Sequence, residues 1–298
     1  MISRLTLGTA QLGMDYGIAN KAGKPSKEKA FKILRKAFEL GINSIDTASA
    51  YGDSEQLIGN FLAINPVCRD RVFITTKLPS MSKLGIENQE VTNFVEKAAR
   101  ASFKKLGVRI SNFMLHDFHD LQYGNVLEKS LIKLKQSGII DHVGVSIYEP
   151  EEAESIMQYK IFDTIQLPIN LLDHRFLKNN LLKRLKARGF TVFARSVFLQ
   201  GLLTMNPANI PKNLSEVKNY FYDLREIAIN SGLKMKELAI AFVASITEVD
   251  SIVIGVDNEN QLVSNFEYVK LSISQQTVEL ITQVIRGIDE SIIDPRKW

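Results

Sequence analysis

The sequence predicts a parallel (β/α)8 barrel of the TIM type, formed by residues 1–298 as one domain. Three observations lead there. Eight short apolar runs alternate with amphipathic stretches, the helical stretches repeatedly end in glycine just before the next run, and 298 residues suit a barrel with insertions, whose norm is about 250. Several runs are continuously apolar, as strands buried on both faces are.

Taken in order, the strands are read at Leu5–Leu7, Ser44–Asp46, Val72–Thr76, Phe113–Leu115, His142–Ser146, Thr164–Gln166, Thr191–Arg195 and Ser251–Ile254. Ser26 is read as an N-cap, with Ala30, Ile33, Leu34, Ala37 and Leu40 on one helical face and Gly41 closing the element. Val91–Leu106 places Phe94, Val95, Ala98 and Leu106 at helical spacing and stops at Gly107. Val126–Ser137 repeats the scheme before Gly138, and Lys178–Arg188 repeats it before Gly189. A doubly wound nucleotide fold would place G-x-G-x-x-G after the first strand. The chain instead reads Gly8-Thr9-Ala10-Gln11-Leu12-Gly13, with the wrong glycine spacing. Two connections, Ala10–Pro25 and Phe198–Lys212, are long for simple strand-to-helix links, and such loops are where barrels build specificity.

A net charge of +4 arises from 37 basic and 33 acidic side chains without any long basic run. The densest basic stretch, Lys178–Arg188, alternates with Leu181, Leu182 and Leu185 as a solvated helix face does. Nucleic acid and membrane surfaces are therefore not expected partners. Cys68 is the sole cysteine, which excludes an intrachain disulfide and a cysteine-based zinc site. No apolar stretch approaches the roughly 20 residues of a membrane span. Met1 to Leu5 leads into the first strand without a signal-peptide core, so a soluble cytoplasmic protein of undetermined oligomeric state is expected.

Asp46 ends the second strand, Tyr51 follows it, Lys77 follows the third strand and His116 the fourth. In a barrel these strand ends share one mouth, so a carboxylate, a phenol, an ammonium and an imidazole gather there as a proton-donating site for a carbonyl. Singly, each has an ordinary reading: a cap for Asp46, rim packing for Tyr51, a surface position for Lys77. His116-Asp117-Phe118-His119-Asp120 could suggest a metal pair. No second strand end presents a histidine, so no metal is expected.

Residues Asp46 to Glu55 read D-T-A-S-A-Y-G-D-S-E, which resembles the D-T-A-x-x-Y-G-x-S-E pattern of the aldo-keto reductases. That resemblance implies a nicotinamide cofactor and catalysis by Asp46, Tyr51, Lys77 and His116. Carbonyl reduction needs a hydride on carbon and a proton on oxygen, while free tyrosine has a pKa of about 10. In the implied arrangement the Lys77 ammonium lowers that value, Asp46 holds Lys77 protonated, and His116 orients the substrate oxygen.

The resemblance continues along the chain. Val143-Gly144-Val145-Ser146, with Tyr148 and Pro150, is similar to the family's G-V-S-N-x-x-P, with Ile147 in place of Asn. Gln166-Leu167-Pro168-Ile169-Asn170 resembles Q-x-x-Y-N. By that match Ser146 and Gln166 bind the nicotinamide carboxamide. Arg195-Ser196-Val197-Phe198 and Gly201-Leu202-Leu203-Thr204 resemble Y-S-P-L and G-L-L-T, with Arg195 where a ring-stacking tyrosine is usual. Arg195 is accordingly read as stacking on the reduced nicotinamide, as reaching an anionic group of the substrate, or as pairing with a carboxylate for structure.

Val253 to Asn265 resembles I-P-G-x-x-x-x-x-x-L-x-x-N, a turn opening a helix that receives the adenosine end of the dinucleotide. Gly8, Thr9, Asp46, Ser146, Gln166, Arg195, Ser196, Phe198, Gly255, Val256, Asp257, Gln261 and Asn265 form the implied cofactor surface. Both NADP(H) and NAD(H) are open. No Lys or Arg lies between Gly255 and Asn265, and Asp257 and Glu259 add negative charge, which makes NADH a live alternative to the family's usual NADPH.

The Gly8–Gly13 stretch with Tyr16-Gly17-Ile18-Ala19-Asn20 looks like a bacterial branch of the family, some of whose members accompany sugar pathways. It implies a small carbonyl substrate, with sugar-related ones included. The family's N-terminal hairpin is absent here or reduced to Met1-Ile2, and Trp298 either covers the pocket or frays. Two rival readings keep the barrel: a non-catalytic nicotinamide-binding sensor or regulatory subunit, and a metal-dependent hydrolase.

Overall fold

The computed structural model describes residues 2–20 and 23–298. Eight strands close into an all-parallel barrel in chain order: β1 (Leu5–Gly8), β2 (Ser44–Asp46), β3 (Phe73–Leu78), β4 (Ile110–Leu115), β5 (Ile140–Ser146), β6 (Thr164–Pro168), β7 (Thr191–Arg195) and β8 (Ser251–Gly255). β1 pairs with both β2 and β8, which closes the ring. The (β/α)8 expectation holds.

β2 and β7 coincide with their sequence reading. β3 does not: it starts at Phe73, whose amide donates to the Asn43 carbonyl, and ends at Leu78 opposite Leu115. Lys77 is consequently a strand residue rather than one lying past the strand.

Side chains alternate across a strand with period two. The outward set is apolar: Leu5, Leu7, Ile45, Ile74, Phe113, Val143, Val145, Ile165, Val192 and Ile252 are all buried beneath the helices. Burying one such side chain stabilises by about 1.5–3 kcal/mol. The inward set is small and polar. Thr6 Oγ1 donates to Ser44 Oγ at 2.8 Å and lies 2.6 Å from Ser251 Oγ. Thr164 Oγ1 donates to Asn112 Oδ1 at 2.7 Å, and Asn112 Nδ2 donates to Thr75 Oγ1 at 3.2 Å. These groups satisfy one another, which a buried polar layer requires. Below them Phe73 and Phe193 stack at 6.3 Å, filling the lower end of the barrel. Met1, part of the reading about a missing plug, lies outside the described residues.

The Lys27–Glu39 helix starts where Ser26 accepts from the Lys29 amide, and it buries Ala30, Ile33, Leu34 and Ala37. The Val91–Leu106 helix ends at Gly107 as expected. Gly124–Gln136 and Leu181–Ala187 are shifted or shorter than read. The two long connections are not structureless. Ala10–Gly13 is a short helix, and the stretch after β7 forms 3-10 turns at Leu199–Thr204, Pro207–Asn209 and Lys212–Leu214. These turns lack the length over which a helical period can be recognised. Among the described residues, no helix is long and apolar enough to cross a membrane.

Candidate active site

At the strand C-termini the inward positions carry Gly8, Asp46, Lys77, Ser146, Gln166, Arg195 and Gly255, with His116 one residue beyond β4. Lys77 Nζ donates to both Asp46 oxygens at 2.8 Å and to the Thr47 carbonyl at 3.0 Å, and only 1% of its surface is exposed. Gln166 Nε2 reaches across the barrel to Asp46 Oδ1 at 2.7 Å. Asp46 is therefore bound from two sides.

Tyr51 stands in the turn after β2, where its carbonyl accepts from the Ser54 amide at 3.0 Å. Two glycines permit this turn to pack on the first loop. A Cβ on Gly13 would run into the Tyr51 carbonyl oxygen, and one on Gly52, at φ +55°, would meet the Gly13 carbonyl oxygen. The helix that follows is tied down where Thr76, next to Lys77, donates to Glu55 Oε1 at 2.7 Å. The Tyr51 ring lies edge-on to His116 with centroids 5.8 Å apart, and Lys77 Nζ is 5.2 Å from the Tyr51 ring centroid.

The electrostatics differ from the sequence expectation. Lys77 makes no hydrogen bond to the phenol, because its donors go to Asp46 and Thr47. Burial pushes the Tyr51 pKa well above the ordinary tyrosine value, Asp46 adds to the rise, and Arg195 opposes it. Tyr51 thus holds its proton in the resting site, which is the state a proton donor needs.

Burial, then the charges of Lys77 and Arg195, lower the His116 pKa to about 3. The imidazole is neutral at working pH. The rate constant kcat/KM will therefore show no acid limb near the ordinary histidine value of about 6.5. A limb there that disappears in His116→Asn would refute this. Because the folded-state pKa is the lower one, the stability gained from neutral His116 is complete above about 6.5 and declines as pH falls towards 3. His119, the other histidine of the suspected metal pair, is exposed and turned to Asp117 at 2.8 Å. Among the described residues, no three His, Cys, Asp or Glu side chains are grouped to hold a metal.

A cavity of about 630 Å³ runs from Tyr51 and His116 to the turn after β8. Its wall includes Gly8, Thr9, Asp46, Ser146, Gln166, Arg195, Ser196, Phe198, Gly255, Asp257, Gln261 and Asn265, all expected at the site. Two expected residues do not line it. Lys77 lies beneath the floor, and Val256, at 1% exposure, points into the core. Thr9 lines the wall, but its hydroxyl is spent on the Asp46 carbonyl at 2.9 Å. Gln11, Tyr16, Tyr148 and Lys236 line the cavity too. Lys236 carried no signal in the sequence, whereas Gln11, Tyr16 and Tyr148 stand inside the matched stretches.

Residues able to hold a dinucleotide are present. Ser146 and Asn265 are buried at 4% and 5% exposure, line the cavity, and make no side-chain hydrogen bond among the described residues. Asp257 Oδ2 accepts from Gln261 Nε2 at 3.2 Å, while its Oδ1 is buried without a partner. Asn258 caps the Glu259–Tyr268 helix, which opens beside these groups. Polar side chains without protein partners along one cavity wall fit the hydrogen-bonding needs of a dinucleotide.

Trp298 neither lines the cavity nor frays: it packs on the core and its Nε1 donates to the Ser291 carbonyl at 3.1 Å.

Comparison with known proteins agrees with this geometry. The sequence profile described as the Aldo/keto reductase family matches residues 4–286. The chain is 27% identical to L-glyceraldehyde 3-phosphate reductase of Escherichia coli strain K12, over 98% of this chain and 91% of that protein. It is 24% identical to the NADH-specific methylglyoxal reductase of the same organism, over 97% and 96%. Among solved structures, aldo-keto reductase AKR11C1 from Bacillus halodurans superposes with a TM-score of 0.73 at 20% identity, over 98% of this chain and 96% of that one, a likeness of fold.

Proposed function

The chain belongs to the aldo/keto reductase family and is an oxidoreductase enzyme; from that premise we propose that it reduces a small aldehyde or ketone with a nicotinamide dinucleotide, Tyr51 delivering the proton. One observation carries the reading. The unpartnered Ser146, Asn265 and Asp257 oxygen line the same cavity as Tyr51 and His116.

When bound, reduced nicotinamide supplies the hydride that adds to the carbonyl carbon. The displaced π electrons go to the carbonyl oxygen, which takes the proton from the Tyr51 hydroxyl. Neutral His116 donates a hydrogen bond to that oxygen and fixes its position. As Tyr51 loses its proton, the Arg195 charge stabilises the phenolate, while Lys77, paired with Asp46, stands 5.2 Å from the ring centroid. Ser146 donates to the carboxamide. Gln166, whose Nε2 is engaged by Asp46, offers Oε1 as acceptor.

Asp257 supports one dinucleotide over the other. Its carboxylate on the cavity wall suits a ribose 2′-hydroxyl as donor and repels a 2′-phosphate, which favours NADH. One relative named for NADH specificity supports this choice. Fluorescence titration is expected to give NADH binding at least about tenfold tighter than NADPH, one charge-assisted hydrogen bond being enough for that ratio. Asp257→Ser should narrow the gap. Tighter NADPH binding that is lost in Lys236→Ala would overturn this reading, since among the described residues Lys236 is the other cation on the cavity wall.

A further inference from the structure

Arg195 stands at the end of β7 and lines the cavity with Tyr51 and His116. It is anchored rather than mobile. Nη2 donates to the Ile147 carbonyl at 2.8 Å, Nη1 donates to Ser196 Oγ at 3.1 Å, and the guanidinium lies 4.1 Å from the Tyr148 ring centroid. The opposite partner of Tyr148 is Arg296, at 3.9 Å. The two guanidiniums differ in one respect. Arg296 is neutralised by Asp294 and Glu149, both at 2.6 Å, whereas Arg195 meets no carboxylate among the described residues.

Charge elsewhere at this end of the cavity cancels. Asp46 is matched by Lys77 beneath it, His116 is neutral, and the charge of Arg195 reaches Tyr16, Tyr51, Lys77 and His116. A guanidinium has five N–H donors, of which Arg195 uses two; its Nε is buried with no acceptor. A fixed cation with unused donors beside a proton-donating phenol is an incomplete ion pair.

We infer that the natural substrate is a carbonyl compound bearing an anionic group, a carboxylate or a phosphate monoester, and that Arg195 recognises that group while Tyr51 and His116 hold the carbonyl oxygen. The inference rests on the reductase reading above and narrows it to a substrate class. Of the three sequence-based readings of Arg195, a carboxylate-paired structural role is excluded by its contacts. Stacking against nicotinamide remains the competitor that the experiment must separate.

The test is steady-state reduction of three aldehydes of matched length, ending in a carboxylate, a phosphate monoester and an uncharged methyl ester. For wild-type enzyme, kcat/KM is expected to be roughly tenfold to a hundredfold higher for at least one anion than for the ester, the range of a charge-assisted hydrogen bond. Whichever anion wins identifies the source of the charge. In Arg195→Gln the anion-to-ester ratio should fall to within about threefold, and Arg195→Lys should restore part of it.

Equal turnover of anion and ester by the wild type overturns the inference and leaves the reductase reading intact. So does an Arg195→Gln enzyme in which all three substrates slow by the same factor, since an unchanged anion-to-ester ratio leaves the side chain acting on Tyr51 or the cofactor and not on the substrate anion. No turnover of any aldehyde, charged or neutral, would overturn the reductase reading and this inference with it. The wild-type comparison stands even if a variant folds poorly.

Discussion

Tyr51→Phe is expected to lower kcat for carbonyl reduction by about three orders of magnitude, within the range of 10²–10⁴ typical of a lost general acid. The substitution removes one oxygen and keeps the ring that packs 5.8 Å from His116 and 5.2 Å from Lys77 Nζ. The cavity wall and the Ser146, Asp257 and Asn265 groups are untouched, so dinucleotide binding should persist. The loss belongs to the proton transfer. With burial holding the phenol protonated, His116 cannot replace it as the acid, because it is neutral and gives up its remaining ring proton only at high cost. Titration of the dinucleotide beside turnover on one panel of aldehydes checks this. A Phe variant that kept a tenth of wild-type kcat would remove Tyr51 from the mechanism.

Lys77→Met is expected to cost stability and turnover together, by way of Asp46. The ammonium satisfies both carboxylate oxygens of a residue that is only 4% exposed. Removing it leaves a buried negative charge held by Gln166 alone, a loss of about 3–5 kcal/mol when one member of a buried pair is deleted. Urea unfolding measures that loss. Removing both charges, Lys77→Met with Asp46→Leu, should recover much of the stability, because two well-packed apolar groups avoid the desolvation that the pair bears. Turnover should stay low in the double variant, since the cation beneath Tyr51 is gone. If the single variant were as stable as wild type, the pair would not be the buried electrostatic keystone that its distances describe.

The barrel was legible because alternation leaves a mark on the chain. The Thr191–Arg195 strand and the Val91–Leu106 helix coincide with their sequence reading, the helix closed by the left-handed Gly107. β3 was displaced because its ends depend on Asn43 and Leu115, residues remote in sequence. The same displacement moved Lys77 from a loop into a strand and sank it under the floor of the cavity. A closer use of period two would have anticipated this, since Phe73, Thr75 and Lys77 share one parity and the outward face of β3 is Ile74, Thr76 and Leu78.

Much of the site was readable as well. Asp46, Tyr51, His116, Ser146, Gln166, Asp257 and Asn265 all reach one cavity, as the matched motifs implied. Lys236 was invisible, and Gln11, though inside the matched Gly8–Gly13 stretch, was not singled out. Gln11 belongs to the site because its side chain packs on Gly255, which has no Cβ to exclude it, and Lys236 because the helix bearing it packs beside Glu259–Tyr268. Neither relation exists in any local stretch of sequence.

By itself, the order of residues determined the eightfold repeat, the inward or outward parity of each strand position, and the kinds of side chain delivered to the strand ends. Only the tertiary structure decided which of those charges cancel. Lys77 is consumed by a carboxylate 31 positions away, while Arg195 finds none within reach among the described residues. The reason is physical: parity follows from the covalent geometry of neighbouring residues, whereas an ion pair depends on a separation of a few ångströms through a low-dielectric interior, where a small displacement changes the energy of a charge more than its identity does.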